Sequence, residues 1–173
     1  MFPARRLLIG VSMAIEKPAQ GVGKKEPVSL DSAARHLLEE CRMVLPGIQA
    51  LFGFQLIAVF NEGFSKKLSA GEQELHLAAI VLVAVAVALV MAPAAIHRQT
   101  QQREVSERFI WLSSRLLLAS MFPLAVALCL DIYLISRIIL ERGAYSAAIA
   151  VLLLVVIYIL WILVPANERA KHR

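Results

Sequence analysis

The sequence predicts an all-α membrane protein, with four transmembrane helices preceded by an N-terminal amphipathic interfacial helix. Three observations carry this. The chain is 173 residues long, 59% hydrophobic and only 18% charged, with a mean hydropathy of +0.69. Soluble domains are about 45–50% apolar and about 25% charged, and a soluble core of this length cannot hide so much apolar surface. Long runs are nearly free of charge, and basic residues cluster on one side of the connections between them. Strict apolar–polar alternation, the mark of a membrane β-barrel, is absent.

Residues 1–28 read as a flexible N-terminal segment, with Pro18, Gly21, Gly23 and Pro27 spread through it. Arg5 and Arg6 precede a nine-residue apolar run, Leu7–Ile15, in the manner of a signal peptide. The run is short, is broken by Gly10 and Ser12, and has no A-x-A site after it. The physiological start is either Met1 or Met13.

Residues 29–173 form the four-helix transmembrane domain. Its first element is the amphipathic helix, about residues 30–43. Ser29 or Asp31 is placed to cap it, because a short oxygen side chain accepts from the free N–H groups of a first turn. Leu30, Ala34, Leu37, Leu38, Cys41, Val44 and Leu45 recur at helical spacing. Arg35, His36, Glu39, Glu40 and Arg42 fill the other face, which suits a helix lying on a membrane surface or packed on a partner.

The first span is about 44–60. It offers 17 residues from Val44 to Phe60, the lower limit for a crossing, and contains Gln49, Gly53 and Gln55. Pro46 stands where a new helix begins, so its missing N–H costs no bond there, and a bend between surface helix and span is expected. An unpaired amide in hydrocarbon costs several kcal/mol. Gln49 and Gln55 are therefore expected to face protein, with Gly53 allowing a neighbouring helix to come close.

The second span, about 75–96, runs 22 residues from Leu75 to Ile96 with no acid or base except His76 at its start. Ala84, Ala88 and Ala92 recur every fourth residue, a spacing that lets two helices approach in lipid. Alanine as ordinary filler explains them equally well.

The third span, about 112–137, lies in an apolar stretch of 32 residues, Phe109–Leu140. At 1.5 Å per residue that is about 48 Å, more than the hydrocarbon core needs, so it must protrude or tilt. Arg115 can snorkel to an interface. Pro123 removes a bond to Ala119 and marks a kink. Asp131 is the only acid within a span, and ionisable residues at depth are functional candidates by default. Its candidate cationic partners are Arg137, Arg142, Lys66 and Lys67. A structural ion pair or a hydrogen-bonded carboxyl is the plainer role. Asp131, Arg115, Gln49 and Gln55 are the candidate intramembrane polar or ion site.

The fourth span, about 145–164, has 20 residues from Tyr145 to Val164 and no charge. With the N-terminus cytoplasmic, ten basic residues flank the inner side: Lys24, Lys25, Arg35, Arg42, Arg98, Arg103, Arg108, Arg169, Lys171 and Arg173. The outer loops hold Lys66, Lys67 and Arg142, three in all, or four with Arg137. This bias predicts four spans with both termini cytoplasmic.

Net charge of +5 and a pI near 9.6 follow from basic helix ends facing anionic lipid, and no nucleic-acid motif is present. Cys41 and Cys129 read as small apolar fillers, with no metal spacing and no disulfide. There is no phosphate loop, no Ser/His/Asp set and no HExxH; the histidines, His76 among them, sit at membrane edges or in tails. Neither enzyme activity, nor metal, nor cofactor is expected.

At EECRMVLPGIQALFGFQLIAVFNEGF, LSAGEQELHLAAIVLVAVAVALVMAPAAIHR and VSERFIWLSSRLLLASMFPLAVALCLDIYL, the chain resembles a family of small bacterial integral-membrane proteins catalogued as a domain of unknown function. The resemblance covers roughly residues 30–142. LPGIQALFGFQL and APAAIHR are its specific parts. It implies a multi-pass protein of the bacterial inner membrane, and some members bear the label sodium:proton antiporter. Known cation antiporters are larger and set several acids at mid-membrane beside broken helices. This chain has one acid, off-centre.

The expected function is that of a non-enzymatic structural or accessory subunit, associating with itself or with a larger membrane complex in the lipid bilayer. The alternative is a small cation or proton transporter, or channel subunit, using Asp131.

Overall fold

The computed structural model describes residues 29–100 and 106–171. The N-terminal segment 1–28, with Met13, Lys24 and Lys25, lies outside the described residues, as do Arg103 and Arg173. The described elements are all helical: α1 (Leu30–Val59), α2 (Glu62–Lys67), α3 (Ala70–Thr100), α4 (Glu107–Leu140), α5 (Gly143–Tyr158), a π-helical turn (Ile159–Leu163) and α6 (Val164–Lys171). Four helices are long and apolar enough to cross a membrane: Leu30–Val59, Ala70–Gln99, Glu107–Leu140 and the composite Gly143–Lys171.

The amphipathic stretch and the first span run as one helix. Ser29 caps α1, its hydroxyl accepting from the Ser32 N–H at 3.2 Å. Ala34, Leu37, Cys41, Ile48 and Gln55 are buried, with Leu45 and Phe52 half-buried between them. The steps of three and four residues make one stripe along the helix, the kind of seam along which helices pack. The stripe passes Pro46, which lies inside the helix on its exposed side. The seam therefore continues from the polar stretch into the apolar one, and nothing in the packing separates the two.

α3 presents the same kind of seam: Ala79, Val83, Ala86, Val90 and Pro93 are buried. α4 lies along α3 and contacts α1, and α5 packs chiefly on α4. Cys41, Ile48, Ala79, Val83, Val90 and Ala127 make the centre of this core. Small residues at Ala79, Ala86 and Ala127 bring α3 and α4 close, which lipid-embedded helices need in the absence of a hydrophobic drive.

The connections set the two ends of the bundle. Asn61 accepts from the Gly63 N–H at 2.9 Å and starts α2, which folds the α1–α3 link over one end. At the same end α4 closes on Glu141, whose φ of 54° is left-handed and whose N–H donates to the Arg137 carbonyl at 3.1 Å. Two residues, Glu141 and Arg142, then suffice to turn into α5.

Candidate functional site

The seam residues bring one polar cluster together. Gln55 continues the α1 stripe one heptad beyond Ile48, so it points inward. Asp131 follows Ala127 by one turn on the core face of α4. His76 precedes Ala79 by three residues on α3. All three lie within about two and a half turns of the end that carries α2 and Glu141, and their antiparallel helices meet at that depth.

The geometry is specific. Gln55 Nε2 donates to Asp131 Oδ2 at 2.7 Å, and this bond is buried. The imidazole Nε2 of His76 stands 2.9 Å from the Gln55 backbone carbonyl. A carbonyl only accepts, so Nε2 carries the hydrogen. Nδ1 is thereby left facing Asp131 Oδ1 at 3.8 Å, with side-chain exposures of 8% and 11%. That separation is beyond a direct hydrogen bond and within range of an ion pair or a single bridging water. The arrangement sets an imidazole nitrogen and a carboxylate oxygen side by side in a buried position, a pair between which a proton can pass.

Gln55 suits either state. Its amide nitrogen serves the carboxylate, and its Oε1, buried and without a partner among the described residues, is an acceptor for a carboxylic O–H after rotation of the amide. A pocket of about 180 Å³ adjoins the cluster, walled by Phe54, Phe64, Leu134 and Ile138. Phe64 of α2 meets the His76 ring edge-on, with centroids 5.1 Å apart. One turn from His76, toward the same end, Glu72 pairs with Arg137 at 3.0 Å and accepts from the Ser69 N–H and hydroxyl at 2.8 Å each. Ser69, Glu72 and Arg137 thus place bonded polar groups at the end of the bundle that carries α2.

Of the residues proposed from the sequence, Asp131 and Gln55 meet, and Gln49 and Arg115 do not join them. Gln49 follows Ile48 by one residue, which turns it off the seam and leaves it exposed. Arg115 lies sixteen residues from Asp131, about 24 Å along α4, with its guanidinium 4.7 Å from the Trp111 ring centre. None of the expected cations reaches Asp131. Arg137 is held by Glu72, Lys66 by Glu62 at 3.1 Å, and Arg142 stacks over Tyr145.

The packing expectations also shift. A side chain added at Gly53 meets nothing within 4 Å, so none of the described helices makes use of its small size. Ala84 and Ala88 are exposed and Ala92 is half-buried; the α3 seam runs through Ala79, Val83 and Ala86 instead. Pro123 is buried inside α4.

His76 is the member that sequence reasoning missed. As the first polar residue of an apolar run it reads as an interfacial edge. The available signal was depth, since Gln55, His76 and Asp131 lie at similar distances from the same end. Among the described residues, no three His, Cys, Asp or Glu side chains gather as a metal-ligand set.

No curated protein and no solved structure matches the chain. Residues 25–165 match a family of unknown function (DUF6328), and the chain belongs to that family.

Proposed function

We propose that this is a non-enzymatic, multi-pass membrane protein that binds and exchanges a proton at Asp131 and His76, as a small proton-handling or proton-coupled subunit. The observation that supports this is the buried Asp131 carboxylate, bonded to Gln55 at 2.7 Å and faced by His76 Nδ1 at 3.8 Å. A buried carboxylate in an apolar bundle is costly unless paired, and an intramembrane ionisable residue is a functional candidate for that reason. With Nε2–H donated to the Gln55 carbonyl, Nδ1 is the ring atom that faces Asp131. The Glu72–Arg137 pair supplies polar groups between the cluster and the α2 end.

The test is proton flux in proteoliposomes loaded with a pH-sensitive dye. A flux in the wild type, cation-dependent or not, that is lost in Asp131→Asn and in His76→Gln supports the proposal. Absence of wild-type flux, or flux unchanged in both variants, overturns it.

A second reading is a structural or accessory subunit in a homo-oligomer or larger complex. It is favoured by the same bonds, which tie α1 to α4 and α3, and by Ala84 and Ala88, which face away from the chain's own core. Under this reading Asp131→Asn alters stability or assembly without any flux to lose.

The charge bias supports a bacterial inner-membrane orientation with both termini cytoplasmic, so the Asp131 cluster opens toward the outer side. A reporter fused after Arg173 is expected to read as cytoplasmic; a periplasmic reading reverses the orientation.

A further inference from the structure

The groove between α4 and the fourth span offers a second site, unrelated to the proton cluster. It encloses about 620 Å³ and is lined on α4 by Leu118, Phe122 and Val126, and on the other wall by Leu154, Tyr158 and Ile162. The lining is almost wholly apolar. Leu118 to Val126 covers eight residues, and Leu154 to Ile162 another eight, so each wall is about 12 Å long. The hydrocarbon core is roughly 30 Å thick. The groove is therefore one leaflet deep and does not extend over the whole span.

What stands at its mouth is basic and aromatic. Arg115 precedes Leu118 by three residues and Phe122 by seven, which places it on the groove side of α4 one turn toward the helix start. Its guanidinium lies over Trp111, 4.7 Å from the ring centre, and both residues are exposed. Trp161, in the π-helical turn, lines the groove from the opposite wall. Beyond it, α6 carries Arg169 and Lys171 in its last turn. Lys171 is paired with Glu168 at 2.8 Å.

We propose that this groove binds one acyl chain of an anionic phospholipid, with the phosphate held by Arg115. Three features select a lipid over a second protein helix. The apolar trough is the length of a single leaflet, the length of one acyl chain. The trough lies beside an arginine at the depth where headgroups lie, backed by an aromatic ring typical of that interface. The charge at the mouth is complementary to a phosphate and not to another copy of the same basic end. The π-helical turn adds a residue to the wall just where Trp161 meets the groove, a local irregularity of the kind that recurs at binding sites.

The experiment is native mass spectrometry of the full chain released from detergent, with phosphatidylglycerol or phosphatidylcholine of matched chains added. Wild type is expected to retain phosphatidylglycerol preferentially. Arg115→Gln is expected to weaken that retention about fivefold, toward the phosphatidylcholine level. Leu154→Trp, which fills the groove from its lipid-exposed wall, is expected to reduce retention of both. Thermal unfolding of each variant without added lipid shows that it remains folded. Equal retention of the two lipids by wild type, or an undiminished preference in Arg115→Gln, overturns the proposal. So does a covalent dimer through Leu154→Cys that excludes lipid, which makes the face a contact between copies.

Discussion

At the residue scale, a helix seam decides which polar residue acts. Gln55 and Gln49 have the same chemistry, lie in the same helix and are six positions apart. Gln55 falls on the buried stripe and bonds to Asp131, while Gln49 is exposed. Replacing Gln55 with Leu removes the only direct hydrogen-bond donor to Asp131 among the described residues. A loss of about 1–3 kcal/mol is expected, the cost of an unsatisfied buried polar group. Gln49→Leu, away from the core, is expected to stay within about 0.5 kcal/mol of wild type. Unfolding temperatures in one detergent compare the two; equal losses contradict the assignment. Asp131 was legible from the sequence because a lone acid in an apolar run is conspicuous. Its partners were not, because partner choice depends on register and depth between helices rather than on charge. The nearby arginines and lysines looked like natural counter-ions, yet Arg137 and Lys66 are held by their own carboxylates and Arg142 by a ring.

At the element scale, hydropathy made the three long apolar helices readable, since some twenty uncharged residues have few alternatives to a span. The continuity of α1 was less legible. Pro46 suggests a boundary to local reasoning, but the three-and-four stripe from Ala34 to Gln55 runs past it unbroken. The π-helical turn at Ile159–Leu163 left no trace in composition, as Ile, Leu and Trp there suit an α-helix equally well. The α4–α5 turn rests on Glu141, the only non-glycine residue with positive φ among the described residues. A side chain in the left-handed region costs roughly 1–2 kcal/mol, and glycine avoids it. Glu141→Gly is therefore expected to stabilise the protein by about 1 kcal/mol, read as a rise in unfolding temperature. A fall shows instead that the glutamate has a stabilising contact of its own.

At the scale of the whole molecule, the bundle has two chemically different ends. The end bearing α2 holds the Asp131 cluster beneath the Glu72–Arg137 pair, and the opposite end holds Arg115, Trp111 and the apolar groove. The sequence placed Arg115 and Asp131 in one candidate site because both are charged and both lie in one long helix. About 24 Å of helix separates them, and they belong to different ends with different partners. The proposed proton exchange requires one proton shared between Asp131 and the Nδ1 of His76, with Nε2–H donated to the Gln55 carbonyl. Nitrogen-15 NMR of histidine-labelled protein in nanodiscs, with His76 assigned by comparison with His76→Gln, tests this most directly. His76 Nε2 is expected to stay protonated throughout a pH titration. Nδ1 alone should change state, and Asp131→Asn should shift that change. An Nε2 that loses its proton, or an Nδ1 change indifferent to Asp131→Asn, contradicts it.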